Sequence, residues 1–313
     1  MNIEFHHFSL FTFRFSLFLS QCFIKAIKDQ LNFFTEPVIE AILGGKPKVL
    51  CKVKEDYQKF IVKYVNLKFK IEIQKLIDFL FDYDDFSKKG SIYSEKNWGA
   101  YRLAAALKVR SCLYCNRNYI VTVRTDSEDI VRPEFDHFFP QCTDPILALS
   151  FYNLIPSCHI CNSNLKGRTK FSLQSYFHPY LQDFSSNNVY FKYRPLSPEA
   201  FQTTSEQLEV ILDTRKAPRL SRQINRNIKL FQLNNIYNNH LDIVTGLLHI
   251  QRIANKKRLI DIYKNVFHSK YYKNGEKEIY ELIIRNYYSK EEYCQKPMAK
   301  FEKDIAMEIG LIQ

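Results

Sequence analysis

Two C-x2-C pairs, Cys112/Cys115 and Cys158/Cys161, constrain what this chain can fold into more than any other feature. Each pair offers two thiolates at the bite that a tetrahedral Zn²⁺ needs, and four cysteines close such a site against water. A site of that kind is structural, because no coordination position stays open for substrate. The alternative, a redox C-x-x-C, has no βαβ pattern around either copy. Zinc bound here stands in for hydrophobic core that a small β-rich module is too short to bury.

The other cysteines, Cys22, Cys51, Cys142 and Cys294, stand alone and read as small buried hydrophobes. Eight cysteines in a reducing cytosol do not make a disulfide framework. The cytosol is the expected compartment, and no membrane association is expected. The apolar N-terminal run from Phe8 to Ser20 contains Arg14, has no basic segment before it and is too short to span a bilayer. Its alternation from Phe11 to Leu17 predicts a half-buried strand instead. The formal charge of +12 favours a polyanionic partner such as nucleic acid.

Residues 1–94 read as a mainly helical region, with an apolar stripe through Ile61, Ile73, Leu76 and Leu80 and a charged loop from Asp82 to Ser91. Residues 95–180 hold the cysteines. A helix is expected from Glu95 to Val109, a β-rich stretch over Tyr119–Val123, and the start of a helix over Asn162–Gly167. Residues 181–313 begin with a hairpin, Asn188–Tyr193 against Leu208–Leu212, and continue as helices from Pro218. The fold class is α+β.

Between the two cysteine pairs lies Phe135-Asp136-His137-Phe138-Phe139-Pro140. A carboxylate and an imidazole side by side among aromatic residues are costly unless something compensates them. Neighbours on a strand face opposite ways, so convergence of the two needs a strand end or kink, and Pro140 is near enough to help. Asn153 precedes Cys158 in Asn153-Leu-Ile-Pro, Asn162 follows Cys161 directly, and Lys166-Gly167 comes just after.

The ordered string C-x2-C, D-H-x-x-P, N-L, C-x2-C-N, K-G resembles the zinc-knuckle branch of the HNH endonucleases, over roughly Ser111 to Arg168. That resemblance implies a ββα-metal core whose two strands carry Asp136-His137 and Asn153 and whose helix starts near Asn162. It implies Asp136 as a ligand of a catalytic Mg²⁺ or Mn²⁺ and His137 as general base. It further implies Asn153 as the brace of the loop holding His137, and Asn162 as the second ligand. One departure stands out. The usual N-x-x-K ending is one residue longer here, Asn162-Ser-Asn-Leu-Lys166, so Asn164 is the alternative ligand if the helix starts later. Adjacency to Cys161 favours Asn162. The chemistry agrees with these roles, since hard oxygen donors suit Mg²⁺ and thiolates suit zinc.

Lys166 and Arg168 are expected beside the scissile phosphate. Arg219, Arg222, Arg226 and Lys229 fall on one helical face opposite Ile224 and Ile228, either a phosphate-tracking surface or an ordinary solvated one. His178 and His159 are weaker candidates with structural readings of their own. Outside the motif, Asn97-Trp98, Phe231-Gln-Leu, Tyr237-Asn-Asn-His240 and Pro297-Met-Ala-Lys300 resemble HNH proteins of bacterial anti-phage defence, which implies an ATPase partner. The expected function is a DNA endonuclease. The rival is a zinc-stabilised nucleic-acid-binding or regulatory subunit that does not cut.

Overall fold

The computed structural model describes residues 33–63, 67–89, 99–181, 189–198, 207–215, 220–253, 256–266 and 276–312. The strand expected over Phe11–Leu17, Cys22, Asn97-Trp98, Pro218 and Arg219 lie outside the described residues. The class is α+β as expected: helices accompany small sheets, which among the described residues are three two-stranded ribbons. Among these residues no helix is long and apolar enough to cross a membrane.

The chain forms two compact units. The first takes the residues up to Lys108 together with Val121–Ser157 and Arg168–Leu173. Its helices are α1 (Glu36–Gly44), α2 (Pro47–Lys63), α3 (Leu67–Leu80), α4 (Tyr83–Ser87) and α5 (Ala100–Leu107). Pro37 sits in the first turn of α1, where its missing N–H costs nothing. Apolar residues at helical spacing then turn one face inward, Ile39, Ile42 and Leu43 from α1 and Leu50, Val53 and Phe60 from α2. Each fully buried Leu or Ile of this kind contributes about 1.5–3 kcal/mol relative to exposure. The charged stretch after α3, expected as a loop, contains α4, because the Asp82 carboxylate accepts the Asp85 N–H at 2.8 Å and caps the turn.

Strands follow: β1 (Val123–Arg124) pairs with β2 (Asp129–Val131), and β3 (Glu134–His137) pairs antiparallel with β4 (Leu154–Ser157). The expected strand over Tyr119–Val123 is shorter than its composition suggests. A bridge from Ser111 to Tyr119, the Ile120 N–H on the Arg110 carbonyl and Val123 of β1 are the pairings there. The long connection between β3 and β4 is built of 3-10 turns at Pro145–Leu147 and Phe151–Asn153, with Ile146, Leu147, Ala148 and Leu149 all buried. Lys54 of α2 holds this connection by a 2.7 Å ion pair to the buried Asp144, and the Ser150 hydroxyl donates to the Ile42 carbonyl of α1.

The second unit takes Val109–Ile120, Cys158–Gly167 and the chain from Gln174 onward. Its ribbon is β5 (Tyr190–Pro195) against β6 (Leu208–Asp213), the hairpin expected from sequence. Helices α6 (Ser221–Leu230), α7 (Leu233–Asn238), α8 (Leu241–Ile253), α9 (Lys256–Val266), α10 (Glu276–Ile284) and α11 (Ala299–Glu308) complete it. Phe191 of β5, Tyr237 of α7 and Phe301 of α11 form its aromatic centre, with ring centroids 4.3 to 5.3 Å apart.

Candidate functional site

The four cysteines of the two pairs meet in the second unit. All are buried, and their Sγ atoms lie within 4.8 Å of one another. Zinc–sulfur bonds of about 2.3 Å in a tetrahedron put the sulfurs about 3.8 Å apart, so the cluster is of a size that can hold a zinc ion. Burial, and then the neighbouring Cys115 and Cys158 sulfurs, push the Cys112 thiol well above its ordinary value, and a bound cation would hold it as a thiolate.

Local sequence shapes both halves of the cluster. After Cys115 the chain reverses at Asn116, in the left-handed region at φ 48°, a conformation Asn tolerates better than most residues. The reversal lets the Asn116 N–H reach the Cys112 carbonyl at 2.7 Å and the Arg117 N–H face the Cys115 sulfur at 3.4 Å. The Asn118 side-chain amide donates to the Cys158 sulfur at 3.3 Å. On the other side, the expected helix starts earlier than Asn162, running from Ile160 to Lys166, and it is a π-turn. The Gly167 N–H donates back to the Asn162 carbonyl at 2.9 Å, five residues away. A π-turn is how a helix absorbs one inserted residue, and the extra residue between Asn162 and Lys166 falls inside it. Gly167 ends the turn at φ 48°, where a side chain would be strained.

The C-terminal helices lock this knuckle through the segments that carried the wider resemblance. Tyr237 donates its hydroxyl to the Cys115 carbonyl at 2.6 Å. Phe231 stacks on Tyr114 at 4.5 Å, and the Met298 N–H reaches the Asn116 carbonyl at 2.7 Å. The Arg117 guanidinium donates to His240 Nε2 at 2.7 Å; burial, then the Arg117 charge, lowers the His240 pKa, which keeps that nitrogen an acceptor.

The Asp136-His137 pair belongs to the first unit. His137 is the last residue of β3, which provides the strand end that the pair was expected to need. Asp136 is buried opposite Ile155, and His137 is half-buried opposite Leu154. His137 Nε2 lies 2.9 Å from the Ala148 carbonyl oxygen. A carbonyl only accepts, so Nε2 carries the hydrogen and the basic lone pair lies on Nδ1. The Tyr83 ring meets the imidazole edge to face, with centroids 4.5 Å apart, and its hydroxyl donates to the Phe135 carbonyl. Burial lifts the Tyr83 phenol to about 12, so it stays a neutral donor.

Asn153 is fully buried and fastens the chain beyond His137. Its Oδ1 accepts the Phe139 N–H at 2.6 Å, while Nδ2 donates to the carbonyls of Phe139 at 3.1 Å and Leu147 at 2.9 Å. Its own carbonyl accepts from Phe138. Every polar atom of the side chain is used in holding the loop that supplies the Ala148 carbonyl.

Other sequence candidates fall in varied places. Asn162 is half-buried and Asn164 exposed, both on the π-turn. Lys166, expected near the scissile phosphate, is only 4% exposed, and Arg168 is exposed. Arg222, Arg226 and Lys229 form an exposed row on α6 above the buried Ile224 and Ile228. His178 is buried and accepts the Tyr180 N–H at Nδ1, while His159 is exposed. Cys142, expected as a buried hydrophobe, is exposed, and Cys51 and Cys294 are half-buried. Sequence reasoning missed Tyr83, Asn116 and the Ala148 carbonyl. The first two act through long-range packing or an unusual backbone angle, and a backbone carbonyl leaves no residue signal. The chain matches no protein-family model, no curated protein and no solved structure.

Proposed function

We propose that this chain is a metal-dependent endonuclease that hydrolyses nucleic-acid phosphodiesters, DNA first among them. One observation carries the reading: His137, beside the buried Asp136, is held at Nε2 by the Ala148 carbonyl, which leaves Nδ1 as the basic atom. An imidazole so fixed can take a proton from an attacking water at neutral pH. Asn153 and the Tyr83 ring keep its orientation from drifting, which is what general-base catalysis requires of its base.

Asp136 offers a hard carboxylate oxygen of the kind that suits Mg²⁺ or Mn²⁺ and would hold such an ion. When bound, the cation neutralises charge growing on the phosphate. The four-cysteine cluster supplies scaffold in this reading. The exposed row of Arg222, Arg226 and Lys229 suits backbone contacts to a polyanion. Action in anti-phage defence beside an ATPase belongs to the same proposal, on the resemblance alone.

The closed cysteine cluster and the basic row together favour a second reading, a zinc-stabilised nucleic-acid-binding subunit that does not cut. Plasmid DNA incubated with purified protein and Mg²⁺, beside an Asp136→Asn variant, separates the two. Nicking by the wild type that needs Mg²⁺ and falls at least about 100-fold in the variant supports the nuclease. Plasmid retardation with neither preparation nicking supports the binding subunit.

A further inference from the structure

The basic row of α6 does not end with the helix. Beyond Lys229, its last member, Gln232 Nε2 donates to the Lys229 carbonyl at 2.8 Å. Gln232 Oε1 in turn accepts from Asn235 Nδ2 at 2.8 Å, and Asn239 Nδ2 donates to the Asn235 carbonyl at 2.8 Å. Gln232 lies in the left-handed region at φ 51°, where the chain turns from α6 into α7. Arg222, Arg226, Lys229, Gln232, Asn235 and Asn239 are all exposed and follow one another at spacings of three or four residues. One continuous strip thus runs along both helices, cationic over α6 and amide over α7.

Beneath the strip Ile224, Ile228, Leu233 and Tyr237 are buried, which holds both helices from below. Asn238 accepts the Val210 N–H of β6 and donates to the Val210 carbonyl, so α7 is also fastened to the ribbon. No acidic residue occurs in the sequence between Asp213 and Asp242, and Asp213 is held by Lys192 and Arg215. The strip therefore attracts a polyanion. Its three cations cover about 10 Å of helix axis, the axial reach of about three phosphates on one DNA strand. Charge alone does not account for the amides. An amide carries two N–H donors and an acceptor oxygen. The bond to Gln232 uses one Asn235 N–H and orients the group. One N–H and Oδ1 remain, the donor and acceptor that adenine's N7 and N6 groups require. The major groove of B-form DNA, about 12 Å wide, admits a helix carrying such a group, whereas the deep, narrow groove of A-form RNA does not.

We propose that the α6–α7 strip is a surface for duplex DNA, with Arg222, Arg226 and Lys229 on the phosphates of one strand and the Asn235 amide on adenine in the major groove. The cations position the duplex and the amide reads it. The proposal rests on the reading of α6 as a polyanion surface and adds to it a preference for adenine. Cleavage plays no part in its test, so its failure leaves the roles of Asp136 and His137 untouched.

The test is fluorescence anisotropy of labelled duplexes titrated with the full-length protein, without added Mg²⁺. The probes are an A·T-rich DNA duplex, the same duplex with 7-deazaadenine for adenine, a G·C-rich duplex, and double-stranded RNA of the A·T-rich sequence. The A·T-rich DNA is expected to bind at least about fivefold tighter than the G·C-rich DNA, the worth of one bidentate base contact. 7-Deazaadenine removes the major-groove N7 acceptor and leaves the minor groove intact, and is expected to abolish that preference. Asn235→Ala should equalise the two DNAs without changing the salt dependence. Arg226→Ala should weaken both and reduce the slope of log affinity against log salt by about 0.9. Both side chains are exposed, and a circular dichroism melt checks that the variants fold; should one fail, the 7-deazaadenine duplex carries the test on the wild type. Equal affinity for all DNA duplexes, a preference that survives 7-deazaadenine or Asn235→Ala, a salt slope unchanged in Arg226→Ala, or RNA bound as tightly as DNA would each overturn the proposal. Duplexes bound alike would leave the polyanion reading of α6 standing, and no binding at all would sink both.

Discussion

The cysteine cluster and the Asp136-His137 hairpin are built on opposite plans. In the cluster every donor is sulfur and every donor is buried, and the surrounding N–H groups and carbonyls tie the backbone from both ends. Such a site can hold a metal and leaves no coordination position for a substrate. The hairpin ends in one buried carboxylate and one half-buried imidazole, and its rigidity comes from a neighbour, Asn153, which gives all its hydrogen bonds to the backbone. The first arrangement closes on itself, and the second fixes an imidazole while leaving it partly exposed. On the proposed reading, scaffold and chemistry can be damaged separately.

The largest effect is expected at the cluster. Replacing Cys112 and Cys158 together by Ser should abolish zinc binding and, with it, cooperative melting of the unit that contains them, because structural zinc contributes on the order of 10 kcal/mol in comparable small sites. Zinc content beside a circular dichroism melt checks this; a variant that melts like the wild type would show that the metal is dispensable to the fold.

A smaller effect is expected at the hairpin's brace. Asn153→Ala removes three hydrogen bonds and strands the buried Phe139 N–H and Phe139 carbonyl, while the Leu147 carbonyl keeps the Ser150 N–H. Buried groups stranded in this way cost about 1–3 kcal/mol each at most and are not additive, so a net loss of about 3 kcal/mol is expected, with zinc content unchanged. Loss of zinc in this variant would break the claimed separation.

The smallest effect distinguishes the cysteine-bearing unit by pH. Burial raises the Glu302 carboxyl from an ordinary 4.5 to about 7, against the Asn286 amide 2.7 Å away and the Lys296 charge. The folded pKa lies above the unfolded one, so between these values the unfolded chain gives up the proton that the folded chain keeps. Stability from this group is therefore full below about pH 4.5, falls as pH rises toward 7, and stays reduced above it. Glu302→Gln should narrow the gap between melting temperatures at pH 5 and pH 8. An unchanged gap would place the pH dependence elsewhere.

What the sequence revealed, and what it did not, divides along physical lines. Fixed-spacing chemistry was legible: the two C-x2-C pairs came together as expected, and alternation gave the β5/β6 hairpin. Asp136-His137 was legible as a pair. The orientation of the imidazole was not, because a backbone carbonyl across a loop sets it. The π-turn at Ile160–Lys166 surfaced only as an awkward extra residue, since spacing alone does not tell a widened turn from a late start. Helix α4 was hidden in a charge-rich stretch whose Asp82 turned out to be a cap. Phe231, Tyr237 and Met298 could be noticed but not explained from sequence. Their partners in the knuckle lie more than a hundred residues earlier in the chain, for Tyr237 a separation of 122.

The central claim is that the cysteines hold the scaffold while His137 does the chemistry. Plasmid cleavage by zinc-loaded His137→Ala protein, run beside the wild type with Mg²⁺, tests it most directly. The account predicts wild-type zinc content, a cooperative melt lowered only by the loss of the Ala148 and Tyr83 contacts, and cleavage reduced by about 10²–10⁴-fold, the usual worth of a general base. Cleavage by the variant at the wild-type rate would contradict it.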